Sequence, residues 1–265
     1  MGSKSKIDWT DASWNPVTGC NRGCPYCYAR RIASRFSGFD ETNELNQSLY
    51  GALRFAGQTV YEVDGPMKRR TKDGDTETAP YPFGFAPTFY PYKLSELNSW
   101  ETPRDVFVCS MGDLFADCIP DSWIFYVLYA CYKNQRHRYF FLTKNPGRYV
   151  DIFENPKMIT ETEGLWFGTT ITKPSDEFMF NSRADCFLSI EPIQEDFPPE
   201  CDFLKGGGIK WVIVGAETGN RVGKVNPKRE WIEHIAETCR KNDVPLFMKD
   251  SLRSLMGVDF VQEKP

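Results

Sequence analysis

With 265 residues, 41% of them hydrophobic and 26% charged, the chain has the length and composition of one large soluble α/β domain. Its formal net charge of −4 excludes a long-range pull toward nucleic acid, though not a local basic patch. No run has the apolar length of a membrane span, residues 1–11 lack the apolar core of a signal peptide, and Lys6 stands where myristoylation after Met1-Gly2 wants Ser or Thr.

Taken in chain order, residues 12–17 read as a first strand, followed at once by three closely spaced cysteines, Cys20, Cys24 and Cys27. Residues 38–104 break the rhythm and read as an insertion. Within it residues 59–63 have a strand pattern, and residues 68–75 resemble an exposed hairpin tip with Asp73-Gly74 as the turn. The aromatic, proline-rich residues 81–92 read as extended.

From residue 105 onward, short apolar runs end in polar or glycine-bearing turns, at 105–110, 138–143, 165–169, 185–190, 211–215 and 244–248. Runs of this kind suit strands covered on both faces. Helical patterns lie between them. Ile124, Val127, Leu128 and Cys131 make one stripe over 121–134, and Ile232, Ile235, Ala236 and Cys239 another over 227–241. Asn226 before Pro227 predicts an N-cap and first-turn proline, and 146–153 and 175–183 are shorter helix candidates. Alternating strand and helix predicts a parallel sheet, as a partial or near-complete (βα) barrel, with a doubly wound open sheet as the competitor. The expected organisation is one domain over 1–265 with the 38–104 insertion.

The cysteines are nine in number, with no visible export signal. Cys109, Cys131, Cys186 and Cys239 sit in apolar stretches and read as buried thiols in a reducing cytoplasm. Cys20, Cys24 and Cys27 are different. Their C-x3-C-x2-C spacing, with Gly19 and Gly23 beside it, lets a short loop fold three thiolates around one inorganic cluster. An iron–sulfur cubane normally takes four protein thiolates, so three leave one iron open to a small molecule. The alternative is a structural zinc site, which must borrow a remote ligand such as Cys109 or Cys201.

This spacing, with Tyr26 before the last cysteine, resembles the signature of the radical S-adenosylmethionine (SAM) superfamily. The segments around Ile7–Cys20, Val106–Phe115, Phe141–Lys144, Leu188–Pro192, Trp211–Gly219 and Phe247–Lys249 resemble the phage Gp37/Gp68-like family within it. The resemblance implies a partial barrel, a 4Fe–4S cluster held by Cys20, Cys24 and Cys27, and SAM on the open iron. It also implies reductive cleavage to a 5′-deoxyadenosyl radical, fed by a flavodoxin- or ferredoxin-like electron donor.

Ser110, Gly112 and Asp113 stand where the superfamily has a Gly-Gly-Glu-like turn that meets the SAM ammonium. Here the turn is Gly-Asp, and Asp113 serves equally as a cap of the next turn. Gly215 and Glu217 resemble a G-x-I-x-G segment beside the adenine, with Trp211 in place of the first glycine. Tyr26, Thr169 and Thr170 complete the expected cofactor contacts. Lys144, Glu191 and Lys249 fall at strand ends and are catalytic candidates, and Cys109 is a candidate hydrogen donor, although the core is its preferred place.

The expected substrate is nucleic-acid-derived, a modified base of phage DNA being the leading reading, with Lys68, Arg69 and Arg70 as a phosphate-contacting arm. Arg30, Arg31 and Arg35 near the cluster loop, with Arg136 and Arg138, would assist it. The aromatic insertion would stack a base. A peptide or small metabolite, and a nonenzymatic metal-binding module that recognises nucleic acid, are the alternatives. No membrane partner is expected.

Overall fold

The computed structural model describes residues 7–155, 158, 161–201, 203–204 and 206–265. The Met1-Gly2 and Lys6 positions lie outside the described residues. Strand β1 (Ala12–Trp14) leads through β2 (Val17–Thr18) and the cysteine loop into helix α1 (Tyr28–Arg35). The single strand expected over 12–17 is divided because Pro16 has no N–H to continue a ladder. Beside it, the Asn15 carboxamide oxygen accepts hydrogen bonds from Ser110 Oγ at 3.2 Å and Met111 N at 2.9 Å, tying the break to a neighbouring loop.

The segment that follows holds α2 (Glu44–Ser48), β3 (Tyr50–Phe55), β4 (Gln58–Val63), β5 (Lys68–Arg70), β6 (Thr76–Thr78) and β7 (Thr88–Phe89). Strands in the order β2-β7-β4-β3 make a small second sheet, and β5 with β6 makes a separate hairpin. Gly74 adopts φ 88° at the hairpin tip, as the Asp-Gly turn requires. Of the stretch expected to be extended, β7 is a strand, but Pro91–Ser99 coil into a 3-10 helix opened by the proline.

The remaining elements are β8 (Asp105–Val108), α3 (Asp121–Tyr132), β9 (Arg138–Thr143), α4 (Gly147–Glu154), β10 (Leu165–Ile171), β11 (Asp185–Ile190), β12 (Ile209–Val214), α5 (Arg229–Lys241), β13 (Leu246–Met248) and α6 (Arg253–Met256). The main sheet runs β1-β8-β9-β10-β11-β12-β13, every neighbouring pair parallel. A doubly wound sheet reverses its order partway. This one never does, so the crossovers stay on one side and the sheet curls into a half-barrel. Among the described residues no helix is long and apolar enough to cross a membrane.

Side chains alternate between the two faces of the curl. Val106, Val108, Phe141, Phe167, Leu188 and Val212 face the helices and join Ile124, Val127, Ile232 and Ile235 in the larger core. Phe107, Phe140, Trp166, Phe187, Trp211 and Phe247 face inward and close the bottom of the curl around Trp9. The Trp9 ring lies 4.8 Å from Phe107, 5.8 Å from Phe140, 6.0 Å from Phe187 and 5.9 Å from Trp211. Truncating so buried a ring costs about 3–5 kcal/mol. Gly168 makes the layer possible, because a Cβ there would stand 2.2 Å from the Phe187 ring.

Two helix expectations need correction. Residues 175–183 form an irregular segment with turns at its ends, and at the first of these the Asp176 carboxylate accepts from Thr172 N at 2.7 Å, Thr172 Oγ1 at 2.9 Å and Lys173 N at 3.2 Å, closing the chain on itself. Helix α5 starts at Arg229 with Lys228 as N-cap and no side-chain cap bond, which leaves Asn226 and Pro227 outside it.

Candidate active site

The carboxyl ends of the parallel strands open into a cavity of about 510 Å³. Cys20, Cys24, Tyr26 and Cys27 line one wall. Ser110, Gly112, Asp113, Lys144, Thr170, Ser189, Glu191, Glu217 and Lys249 line it from the strand ends, above a floor of Ile7, Trp9, Phe107 and Leu142.

The cysteine loop is fixed by close backbone contacts. Gly19 adopts φ 86°, and a Cβ on it would fall 2.3 Å from the Ala86 carbonyl oxygen. A Cβ on Gly112 would fall 2.7 Å from the Gly19 carbonyl oxygen. Gly112 therefore lets the turn after β8 abut the start of the cysteine loop, besides lining the cavity. Arg30 then braces the loop: Nη2 donates to Arg22 O at 2.9 Å and Cys20 O at 3.2 Å, with the guanidinium 4.7 Å above the Phe85 ring. The sequence offers Arg30 as a phosphate contact; the structure spends it on the loop.

The thiols have donors of their own. Cys27 is the N-cap of α1, its Sγ accepting from Arg30 N at 3.3 Å, and Cys20 Sγ accepts from Arg22 N at 3.3 Å. Burial, reinforced by the Asp113 carboxylate, pushes the Cys20 thiol up to about 12, so its thiolate forms only against a compensating cation. Among the described residues, no three His, Cys, Asp or Glu side chains gather closely enough to hold a single ion.

Asp113 is buried, and its carboxylate is occupied by the protein. Oδ1 accepts from Thr143 Oγ1 at 2.8 Å and Phe115 N at 3.1 Å, and Oδ2 accepts from Lys144 N at 3.1 Å. Burial nevertheless raises its pKa. Ser110 is likewise tied inward, its Oγ donating to Asn15 and its carbonyl accepting from the Tyr28 hydroxyl. Lys144 extends over the Tyr26 ring, Nζ 5.3 Å from the centroid, and burial lowers its pKa.

On the far wall Lys249 Nζ donates to Glu191 Oε1 in an ion pair. Gly215 explains how Lys249 gets there, since a Cβ at 215 would stand 2.9 Å from Lys249 Cδ. The glycine makes room for the lysine. Glu217 is gripped by Arg221 through two hydrogen bonds of 2.7 Å, which lowers its pKa.

Several expected contacts point elsewhere. Thr170 lines the cavity, but Thr169, its neighbour on the opposite face, is fully buried and does not. Cys109 is buried off the cavity at φ 58°, where desolvation pushes its thiol up to about 12. The basic tract is engaged within residues 38–104: Arg69 pairs with Glu77, Arg70 with Asp40, and Lys68 Nζ donates to Thr78. Arg138 grips Asp105 at the amino ends of the strands, the opposite end from the cavity. Sequence reasoning missed Ser189, Trp9 and the bracing role of Arg30. Only the inward phase of strand 185–190 could have pointed to Ser189.

The family described as "Protein of unknown function (DUF5131)" matches residues 4–253. No curated protein matches the chain. Among solved structures, a spore photoproduct lyase variant superposes with a TM-score of 0.46 at 12% identity, covering 94% of this chain and 79% of that one. Spore photoproduct lyase complexed with dinucleoside spore photoproduct gives 0.45 at 10% identity, over 94% and 79%. A variant with bound AdoMet and dinucleoside spore photoproduct gives 0.44 at 10% identity, over 100% and 79%.

Proposed function

The chain belongs to the DUF5131 family, and we propose that it is a radical SAM enzyme acting on a nucleic-acid-derived substrate. One observation carries the reading: Cys20, Cys24 and Cys27, spaced C-x3-C-x2-C, all line one cavity at the carboxyl ends of a curled parallel sheet. The donor set fits a 4Fe–4S cubane, in which each thiolate takes a different iron and one iron is left open. It fits a lone tetrahedral zinc poorly, because that needs four ligands gathered on one ion.

When bound, the cluster and SAM would supply a 5′-deoxyadenosyl radical able to remove a substrate hydrogen atom. The protein's part is to hold and to shield. Arg22 N and Arg30 N direct hydrogen bonds at two of the sulfurs. The inner aromatic layer closes the bottom of the cavity and keeps water from a reacting group on that side. Lys249 and Glu191 present a paired donor and acceptor at the far wall, and Asp113 holds the Lys144 backbone in place.

The nucleic-acid reading now rests on the cavity and no longer on the hairpin. Arg22, Arg31 and Lys144 line the cavity, and none of them enters an ion pair with the described residues. Unpaired cations around a half-enclosed cavity favour an anionic substrate such as a nucleotide or DNA strand. A modified base of phage DNA is the first substrate to test.

The decisive experiment is anaerobic reconstitution with iron and sulfide. The protein should acquire iron–sulfur absorbance and, once reduced, convert SAM to 5′-deoxyadenosine, while Cys24→Ala does neither. A Cys24→Ala protein that cleaves SAM at the normal rate sinks the proposal.

A further inference from the structure

Ser189 is 1% exposed, and its hydroxyl has no hydrogen-bond partner among the described residues, yet it lines the cavity. A buried hydroxyl without a partner is destabilising, so at a cavity wall it is met by water or by a ligand group that displaces it. Thr169 also has an unpartnered buried hydroxyl, but it faces away from the cavity. Burial, a missing partner and cavity placement coincide at Ser189.

The surroundings define what that ligand group is. Parallel register sets Ser189 directly beside Thr170, which puts two hydroxyls side by side on the inner wall. Two residues further along the same face, Glu191 is neutralised by Lys249. No net charge is left there for an ionic group to answer. Below lie the buried rings of Trp9 and Phe107, which give this end of the cavity an apolar floor. The exposed Arg22 and Arg31, in contrast, line the cavity without an ion pair to any described residue.

We propose that Ser189, with Thr170 beside it, forms a subsite for the uncharged donor–acceptor edge of a substrate nucleobase, which enters ring first and leaves its phosphate to Arg22 and Arg31. This rests on the functional reading above and deepens it by fixing substrate class and orientation. A serine hydroxyl both donates and accepts, so it suits a carbonyl, imino or amino edge and has no preference for an anion.

The test is Ser189→Ala in the reconstituted protein, with thymidine, adenosine, SAM and inorganic phosphate as separate probes in binding titrations. Loss of one neutral hydrogen bond should weaken at least one nucleoside by about three- to tenfold. Phosphate and SAM affinity and cluster content should not change, and the ligand-free melting temperature should stay level or rise, because alanine removes an unsatisfied group. Equal nucleoside affinity in both proteins overturns the proposal, as does failure of both nucleosides to bind the unmodified protein. A fall in ligand-free melting temperature makes Ser189 structural, and a selective loss of SAM affinity assigns it to the cofactor's own nucleoside; each refutes the subsite. If the unmodified protein forms no cluster, the radical SAM reading fails, while the nucleoside titration still reads the subsite independently.

Discussion

Replacing Asp113 by Ala distinguishes a residue that greets a ligand from one that braces a fold. The carboxylate accepts from two backbone N–H groups, those of Phe115 and Lys144, and from the Thr143 hydroxyl. The hydroxyl can rotate to another acceptor, but the two N–H groups would be stranded in a buried place at about 1–3 kcal/mol each. Relief of carboxylate desolvation returns part of this, leaving a net loss of about 2–4 kcal/mol. For a chain of this size that is a fall of about 4–8 °C in melting temperature. The sign of the pH dependence is also fixed. Burial raises the Asp113 pKa above its ordinary 3.8, so the folded state binds the proton more tightly than the unfolded one. The unmodified protein therefore loses stability as pH rises from 3.8 through the raised value, a slope that Asp113→Ala should lack. Scanning calorimetry across that range, paired with SAM titration, measures both effects. A melting temperature within about 1 °C of the unmodified protein, together with weakened SAM binding, would refute the brace and restore the ligand contact.

Arg30→Ala should loosen the cysteine loop by about 1–2 kcal/mol, read as less iron retained per chain after desalting; Arg30→Lys, which lacks the planar fork, should recover little of it. Undiminished iron in the alanine variant rejects the brace. Changing Lys68, Arg69 and Arg70 together to Ala should lower melting temperature without altering the salt dependence of oligonucleotide binding, because those cations are engaged in the hairpin. Changing Arg22 and Arg31 to Ala should instead flatten the logarithmic salt slope by about 1.4 for a single strand; the reverse pattern would return the substrate arm to the hairpin. Asp196 raises the pKa of His234 above 6.5, so their pairing stabilises the fold fully below 6.5 and is lost as pH rises through the raised value. His234→Gln should thus lower the melting temperature at about pH 5.5 and leave it nearly unchanged at about pH 8.5, and equal losses at both would contradict this.

Much of this fold was legible because a strand buried on both faces leaves an unbroken apolar run. That is why β8 through β13 could be located, and why the barrel followed from their alternation with helices. What misled was local polar chemistry. Asp176 has nothing in its sequence neighbourhood to show that its carboxylate turns back on Thr172 instead of leading a helix. The cysteine wall was legible because its three thiols are close in sequence. The Lys249–Glu191 pair and the reason for Gly215 were not, since they join residues on different strands. The basic tract misled for a similar reason: Lys68 to Arg70 look free in sequence, whereas Asp40 and Glu77 answer two of them in space.

The placement of Trp9 sets an order of assembly during synthesis. Its ring packs against residues of β8, β9, β11 and β12, and the nearby Asp8 accepts from the Asp250 backbone. All of these partners are translated after it, the last of them by most of the length of the chain. Until β8 and β9 emerge this segment has none of these rings to seat against, and until β11 and β12 follow its indole is covered only in part. The inner layer can close only when the final strands arrive, so the floor of the cavity is finished late, and a nascent chain halted before β12 would lack it.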